Sequence, residues 1–454
     1  VSLDRSGPPT AGTVRSFHFP PFRRLQLDNG TTVVLARMPR LPLIRLDLLA
    51  TAGAQFEPPD SSGLATFTAG LLDEGTRRFS ATEIARQMEQ LGGSLTCSAG
   101  WNVASTSISL LAEHLEKGLE LLCEVTLEPT FPISEIDRLR QQRLADLMQQ
   151  RNETRYLADR YFVRMIYGEG IYGRPLNGTP QSLEALSREK IEAFYQQCYG
   201  PAGRTLMAVG DLDTDTLLAA IEARLGAATG QPSPVQPTLT GRDLAGIEVH
   251  IVDRPGAAQT ELRVGHIGVP RRHPDYTSLE VMNAILGGKF TSRINLNLRE
   301  RRGYTYGVHS RYHGRLGPGP FQIATAVGTE VAGAASSEIL MELRRIREAP
   351  VTREELDDTR SYLHGIFVNH LQTIDDLTSR LSTLSIYDLP DDYFESYLQE
   401  VEATTQDEVL RVAREHLHPD HLVLIAVGPA ADLVPQLEPL GTVQVWDPSE
   451  DEGL

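Results

Sequence analysis

Four sets of residues in this chain have types and spacing that could do chemistry. Gly168-Glu169-Gly170-Ile171-Tyr172-Gly173 has the GxGxxG spacing that cradles a dinucleotide pyrophosphate. That task needs a strand before the glycines and a helix after them, so that backbone N–H groups at the helix start meet the phosphate. Here a helical pattern precedes the glycines, so the reading fails. Gly287-Gly288-Lys289 approaches the end of a phosphate-binding loop, but Phe290 stands where Ser or Thr is needed and Asn283 where the first Gly is needed. A helix cap is expected there instead. His416, His418 and His421 cluster, as do His309 and His313, and imidazoles are common metal ligands. No carboxylate spacing completes a site, so helix-end and surface histidines are expected. The fourth set is basic: Arg299-Glu300-Arg301-Arg302, followed by Tyr304 and Tyr306. Taken alone, it reads as a solvated arginine cluster in the last turn of a helix capped by Gly303, with Tyr306 on the strand that follows. The pattern puts Ile294 and Leu296 on the buried face of that helix, with Leu298 partly off it. No GxSxG elbow occurs. Cys97, Cys123 and Cys198 are too few and too scattered for a disulfide framework or a cysteine zinc site, and buried thiols are expected.

The elements that must position these residues belong to a large folded chain. It has 454 residues, with 41% apolar and 23% charged, the composition of a globular protein. Its net charge of −17 argues against general binding to nucleic acid or anionic membranes, which need a basic face. A locally basic cleft stays possible, since Arg271-Arg272, the 299–302 run and Arg344-Arg345 concentrate positive charge. Apolar runs such as 422–427 fall far short of the roughly 18 residues of a spanning helix, so no membrane span is expected. No signal peptide is visible. The chain starts at Val1 with a lead containing Gly7, Pro8, Pro9 and Gly12, as a processed export signal or a trimmed chain would. That favours a bacterial periplasm over the cytoplasm.

A Gly/Pro/Gln-rich linker over 229–245 divides the chain into 1–228 and 246–454. The two parts repeat one order of elements. The first starts with a hairpin around Asp28-Asn29-Gly30 and a strand at 43–50. Helices follow at 63–72 and 81–91, then strands at 94–99 and 104–111. Helices at 112–126, 134–167 and 187–198 lead to a strand at 205–209 and a helix at 213–225. The second has strands at 248–252 and 261–269, helices at 276–286 and 291–302, and strands at 304–312 and 321–327. Helices at 329–348, 352–371 and 405–416 precede a strand at 422–427. Both parts end alike, Leu206-Met207-Ala208-Val209-Gly210-Asp211 beside Leu424-Ile425-Ala426-Val427-Gly428-Pro429. The expected fold is α+β: two homologous α/β-sandwich lobes from a duplicated unit, with a ligand cleft between them.

One constellation is more specific. Gly53-Ala54-Gln55-Phe56-Glu57-Pro58 is followed by Ser62-Gly63-Leu64-Ala65-Thr66-Phe67-Thr68-Ala69-Gly70-Leu71-Leu72-Asp73-Glu74-Gly75-Thr76. Leu91-Gly92-Gly93-Ser94, Pro129-Thr130-Phe131, Tyr172-Gly173-Arg174-Pro175 and Gly178-Thr179 come next. The second part adds Leu286-Gly287-Gly288-Lys289-Phe290-Thr291-Ser292-Arg293 and Leu298-Arg299-Glu300-Arg301-Arg302-Gly303-Tyr304-Thr305-Tyr306. In this order, over nearly the whole chain, these segments resemble the M16 (pitrilysin-like) metallopeptidase family. Its members carry Ala-His-x-x-Glu-His between a Gly-Leu and a Gly-Thr. Two His on one helical face bind zinc and the Glu is the general base.

This chain departs from the family at those positions. Thr66 replaces the first His, Ala69 the Glu and Gly70 the second His. None can act as an imidazole ligand, and Ala69 cannot take a proton. Asp146 lies near the place of the family's third ligand, but one carboxylate does not hold catalytic zinc. No metal and no cofactor are therefore expected in this chain. In active family assemblies the C-terminal half supplies an Arg and a Tyr, seven residues apart, to the scissile region, and Arg299 and Tyr306 have that spacing. Tyr304 is the rival of Tyr306. The resemblance implies the non-catalytic subunit of a heterodimeric bacterial M16B-type zinc peptidase, whose homologous partner carries HxxEH and the zinc. Peptide is the implied substrate. Two other classes compete: a purely structural subunit, like the core proteins of the respiratory bc1 complex, and a stand-alone peptide-binding homodimer.

Overall fold

The computed structural model describes residues 17–230 and 234–449. Gln231-Pro232-Ser233 of the linker and the Gly/Pro lead at 7–12 lie outside them. The strands are β1 (Phe22–Gln26), β2 (Thr32–Arg37), β3 (Leu43–Ala50), β4 (Ser94–Ala99), β5 (Ala104–Leu111) and β6 (Arg204–Gly210), then β7 (Glu248–Asp253), β8 (Thr260–Ile267), β9 (Val308–Tyr312), β10 (Pro320–Val327), β11 (Val423–Gly428) and β12 (Thr442–Trp446). They form two six-stranded sheets, ordered β1-β2-β6-β3-β5-β4 and β12-β7-β11-β8-β10-β9. β2 and β7 run parallel to β6 and β11, and the β3–β5–β4 and β8–β10–β9 neighbours are antiparallel. The orders match over five strands, β2-β6-β3-β5-β4 beside β7-β11-β8-β10-β9, so the chain is a duplicated α+β unit. The outermost strands differ: β1 precedes its sheet in sequence and pairs antiparallel to β2, whereas β12 follows its sheet and pairs parallel to β7.

Local chemistry explains these elements. The first hairpin turns at Gly30, whose φ of +89° suits a residue without Cβ, and Asn29 Oδ1 accepts the Thr31 N–H at 3.0 Å. β2, β3, β6 and β11 are buried along nearly their whole length, so they are central and covered on both faces. β4 alternates exposed and half-buried residues, as a strand covered on one face must.

The two lobes exchange a helix. The helix Thr154–Tyr167 follows β5 of the first lobe but packs on β8 and β11 of the second. Ile374–Ile386 follows β10 of the second and packs on β3 and β6 of the first. One apolar cluster accordingly joins Tyr161, Phe162 and Ile166 to Val252, Ile425 and Val427. Tyr172 strengthens the joint, since its hydroxyl accepts from Asn102 Nδ2 at 2.9 Å and from the Gly317 N–H at 3.2 Å.

Several sequence expectations need correction. The stretch 134–167 is two helices, Ile133–Gln150 and Thr154–Tyr167, separated at 151–153. The strand expected over 304–312 begins only at Val308, so Tyr306 sits on the preceding loop. Leu296 is 36% exposed and Leu298 fully buried, the reverse of the expected face. The reason is a π-helical turn over Leu296–Arg301, which shifts the phase of the helix. The structure adds helices Ile374–Ile386, Tyr393–Ala403 and Ala430–Leu437 and strand β12 to the elements expected from the sequence.

Candidate functional site

Thr66, Ala69 and Gly70 lie on one short helix, Leu64–Ala69, ended by Gly70. Positions 66 and 70, one turn apart, are its half-open residues, while Ala69 is fully buried. Thr66 Oγ1 donates within 3.0 Å of Gly63 O and 3.2 Å of Leu176 O, so the hydroxyl is tied to backbone. A Cβ built on Gly70 would meet Leu139 at 3.5 Å and the Arg143 guanidinium at 3.6 Å. Leu139, Arg143 and Asp146 follow one face of the helix Ile133–Gln150. The helix that would offer a third ligand therefore sets a permanent cation beside the second-ligand position. That charge repels a metal ion, and no imidazole offsets the repulsion. The residues present do not fit zinc.

The start of this helix is held by a buried acid. Glu57 accepts the Ala65 N–H at 2.8 Å and the Gly63 N–H at 3.3 Å. Burial pushes its carboxyl up to about 8, against the opposing pull of those two N–H groups and the Arg174 charge. A folded-state value above the unfolded one gives stability that is full below the usual carboxylate range and lost as pH rises through about 8. Glu57→Gln keeps an acceptor for both N–H groups and removes the titration. Relative to the parent, the variant should gain in urea midpoint between about pH 5.5 and pH 8, a difference in which the other titrating groups cancel. An equal gap at both pH values would contradict this account of Glu57.

The second lobe places Arg299 and Tyr306 differently. Arg299 lies in the π-helical turn, which Gly303 closes with φ +66° and an N–H bonded to Arg299 O at 3.2 Å. π-helical turns are often found at functional sites. The Arg299 guanidinium stacks over Phe290, 4.4 Å from the ring centroid, and among the described residues its one ion pair is with Glu300, at 3.5 Å. Phe290 is itself 62% exposed. Tyr304 turns inward against the core. Tyr306 turns outward, 92% exposed, on a loop pinned by Thr305, whose hydroxyl meets Gly307 O and Thr325 Oγ1 at 2.9 Å. Arg299 thus sits in the turn that ends the helix and Tyr306 on the connector after it, and among the described residues they make no contact with each other.

The corresponding edge strands of the two sheets, β4 and β9, are not equivalent. β9 is closed by side chains: Asn295 Oδ1 accepts the Val308 N–H at 3.2 Å and Asn283 Nδ2 donates to Ser310 O at 3.1 Å. Gly287 lets the neighbouring helix end approach, since a Cβ there would lie 2.5 Å from Ser310 Oγ. β4 has no such cover among the described residues. An extended peptide can add to β4 more readily than to β9.

The other chemical candidates resolve simply. The 168–173 glycines follow a helix and lead into a 3-10 turn, with no helix N-terminus for a phosphate. Cys123 and Cys198 are buried and Cys97 half-buried, all free. His416 has an acidic neighbour that sequence spacing hid: its Nε2 lies 2.7 Å from Asp275 Oδ2, with His273 beside them. Arg411 already grips Asp275 through both oxygens, at 2.7 and 3.2 Å, and opposes a metal cation there. No helix among the described residues is long and apolar enough to cross a membrane.

Comparison with known proteins finds relatives along most of the chain. Residues 32–179 match the family model described as insulinase (peptidase family M16), and residues 185–363 match the model described as peptidase M16 inactive domain. An uncharacterized zinc protease of Streptomyces coelicolor is 24% identical over 90% of each chain. The uncharacterized zinc protease YmxG of Bacillus subtilis is 21% identical over 90% of this chain and 99% of its own. Among solved structures, a peptidase M16 inactive domain from Pseudomonas fluorescens superposes with TM-score 0.84 and 26% identity, covering 90% of this chain and 98% of that one. A protease from Helicobacter pylori superposes with TM-score 0.85 at 18% identity, a likeness of fold, over 91% and 100%.

Proposed function

The chain belongs to the peptidase M16 family, and from that premise we propose that it is the non-catalytic subunit of a heterodimeric zinc peptidase. The observation that carries the reading is Tyr306, held outward at 92% exposure in a chain whose own motif positions cannot hold a metal. A large exposed aromatic next to an exposed Phe290 and a half-open Arg299 suits a surface completed by another molecule.

In this reading the second lobe, residues 246–454, faces the metal-bearing lobe of a homologous subunit that carries HxxEH. Zinc held there would supply the activated water. The peptide adds as an extended strand to that subunit's counterpart of β4, which agrees with the closed edge of β9. Arg299 contributes a planar, permanently charged fork to peptide carbonyls. The Tyr306 hydroxyl donates to the oxygen that gains charge as the carbonyl is attacked.

The test is metal content and assembly. After dialysis against zinc, the purified chain should hold no stoichiometric zinc, and it should form a 1:1 complex with an HxxEH-bearing homologue from the same genome. One zinc per isolated chain, or a homodimer that excludes the homologue, would sink the proposal.

A further inference from the structure

The face of the second sheet that carries Thr154–Tyr167 is only partly covered by that helix. Over β9 and β10 it stays open as a groove of about 470 Å³. β9 alternates, so Val308, Ser310 and Tyr312 point into the core while His309 and Arg311 point into the groove. They stand opposite Ala324 and Gln322 of β10. Arg155 enters from the helix side and Arg315 from the loop after β9.

The charges here do not cancel. Two carboxylates line the groove, Asp159 and Glu261, and both are taken by Arg263, at 2.6 and 2.8 Å. Arg155, Arg311 and Arg315 then have no carboxylate within ion-pair distance among the described residues. Arg315 is the most telling. Its guanidinium is stacked near Trp101, Tyr167 and Tyr172, at 5.0, 5.2 and 4.5 Å from the ring centroids. Its Nη1 is buried with no hydrogen-bond partner. Desolvating a guanidinium without an anion is costly, and the ring faces and a hydrogen bond to Tyr167 offset only part of that cost. Such a group is stabilised by an anionic ligand. Arg315 and His313 also line a second groove between the lobes, about 680 Å³, so one cationic ridge serves both spaces. The cationic character rests on the arginines, since burial and the nearby Arg311 and Arg315 push the His313 imidazole down to about 4.

We propose that this groove is the acceptor for anionic side chains of the peptide substrate, so that the chain favours peptides rich in Asp and Glu. This rests on the peptide-handling role above and names its substrate class. It also gives the acidic chain a local charge opposite to its net −17. A short flexible peptide can lay carboxylates against Arg155 and Arg311 while its backbone passes Gly307 and the Tyr306 loop.

The test uses the full chain alone, with neither partner nor zinc, so its failure is separable from failure of the assembly proposal. Fluorescence anisotropy would compare three labelled ten-residue peptides that differ only in carrying four Glu, four Gln or four Lys. The Glu peptide should bind about ten-fold or more tighter than the Gln peptide, the order expected of a few half-exposed ion pairs, and the preference should shrink at high salt. Arg155 and Arg311 are exposed, so R155Q/R311Q should fold normally by circular dichroism and lose most of the preference. Arg344→Gln, at the surface pair with Asp420, should keep it. Equal binding of the three peptides, preference for the Lys peptide, no binding of any, or tighter binding of a ten-nucleotide single strand would each overturn the proposal. Lost assembly with intact Glu-peptide binding would instead overturn the subunit reading.

Discussion

Tyr306→Phe should lower the turnover of the assembled peptidase by about 10²–10³, the loss typical of removing one oxyanion donor, about 2.7–4 kcal/mol. The substitution deletes one oxygen from a side chain that is 92% exposed in the free chain, so folding and assembly should be unaffected. Because the donor acts on charge that develops only during attack, kcat should fall while KM stays close to the parent value. Arg299→Ala should behave differently. In the proposed role it removes a charged fork that would also grip the bound peptide, so KM should rise as kcat falls. It also frees Phe290, on which the guanidinium stacks at 4.4 Å. Arg299→Lys should rescue little, since an ammonium cannot reproduce the planar fork. Tyr304→Phe is the control, because Tyr304 packs against the core rather than outward. Steady-state kinetics of the complex would check all four. Unchanged kinetics for both Tyr306→Phe and Arg299→Ala would refute the roles assigned to them.

Gly63→Ala should cost about 2–5 kcal/mol of first-lobe stability. Gly63 caps the short helix of the degenerate motif with φ +89°, a conformation that costs an L-residue about 1–2 kcal/mol. Its Cβ would also lie 2.8 Å from Gly178 Cα and N and 2.9 Å from Asn177 C. Those are backbone atoms that cannot swing aside, and overpacking of this kind adds about 1–3 kcal/mol. Gly178 is itself in the left-handed region, φ +81°, with Ser62 O 2.7 Å from its own Cβ position. The two glycines let the 175–179 loop lie directly on the helix start that Glu57 caps. Gly92→Ala separates the two terms. Its φ is +59° but nothing lies within 4 Å, so it should lose only the conformational part. Urea unfolding of the three proteins would show this order, and equal midpoints for Gly63→Ala and Gly92→Ala would contradict it.

Much of the fold was legible because short-range physics carried it. Alternation and turn residues marked β2, β3, β8 and β10, and the similar ends of the two halves exposed the duplication. The Gly303 cap was legible because a left-handed residue after an arginine-rich turn has few alternatives. The helix exchange was not legible. The pattern of Thr154–Tyr167 shows that one face must be buried, but says nothing of which sheet buries it. The widened turn at Leu296–Arg301 was invisible for a related reason: periodicity assumes a constant phase, and one extra residue in the turn exchanged the roles of Leu296 and Leu298. Tyr306 was singled out by the family resemblance, whose Arg–Tyr spacing it matches, yet its exposure came only with the late start of β9. The pairing of His416 with Asp275 spans 141 positions and belongs to tertiary packing alone. So does the lack of a carboxylate partner for Arg315 among the described residues, which depends on where every carboxylate around it points.

The central claim is that this chain is half of an active site, with Arg299 and Tyr306 on one side and the metal on the other. The most direct test is the peptide hydrolysis rate of three samples: this chain alone, the HxxEH-bearing homologue alone, and their equimolar mixture with zinc. The account predicts turnover from the mixture, at most a trace from the homologue and none from this chain. Hydrolysis by the pure chain, or a mixture no faster than the homologue by itself, would contradict it.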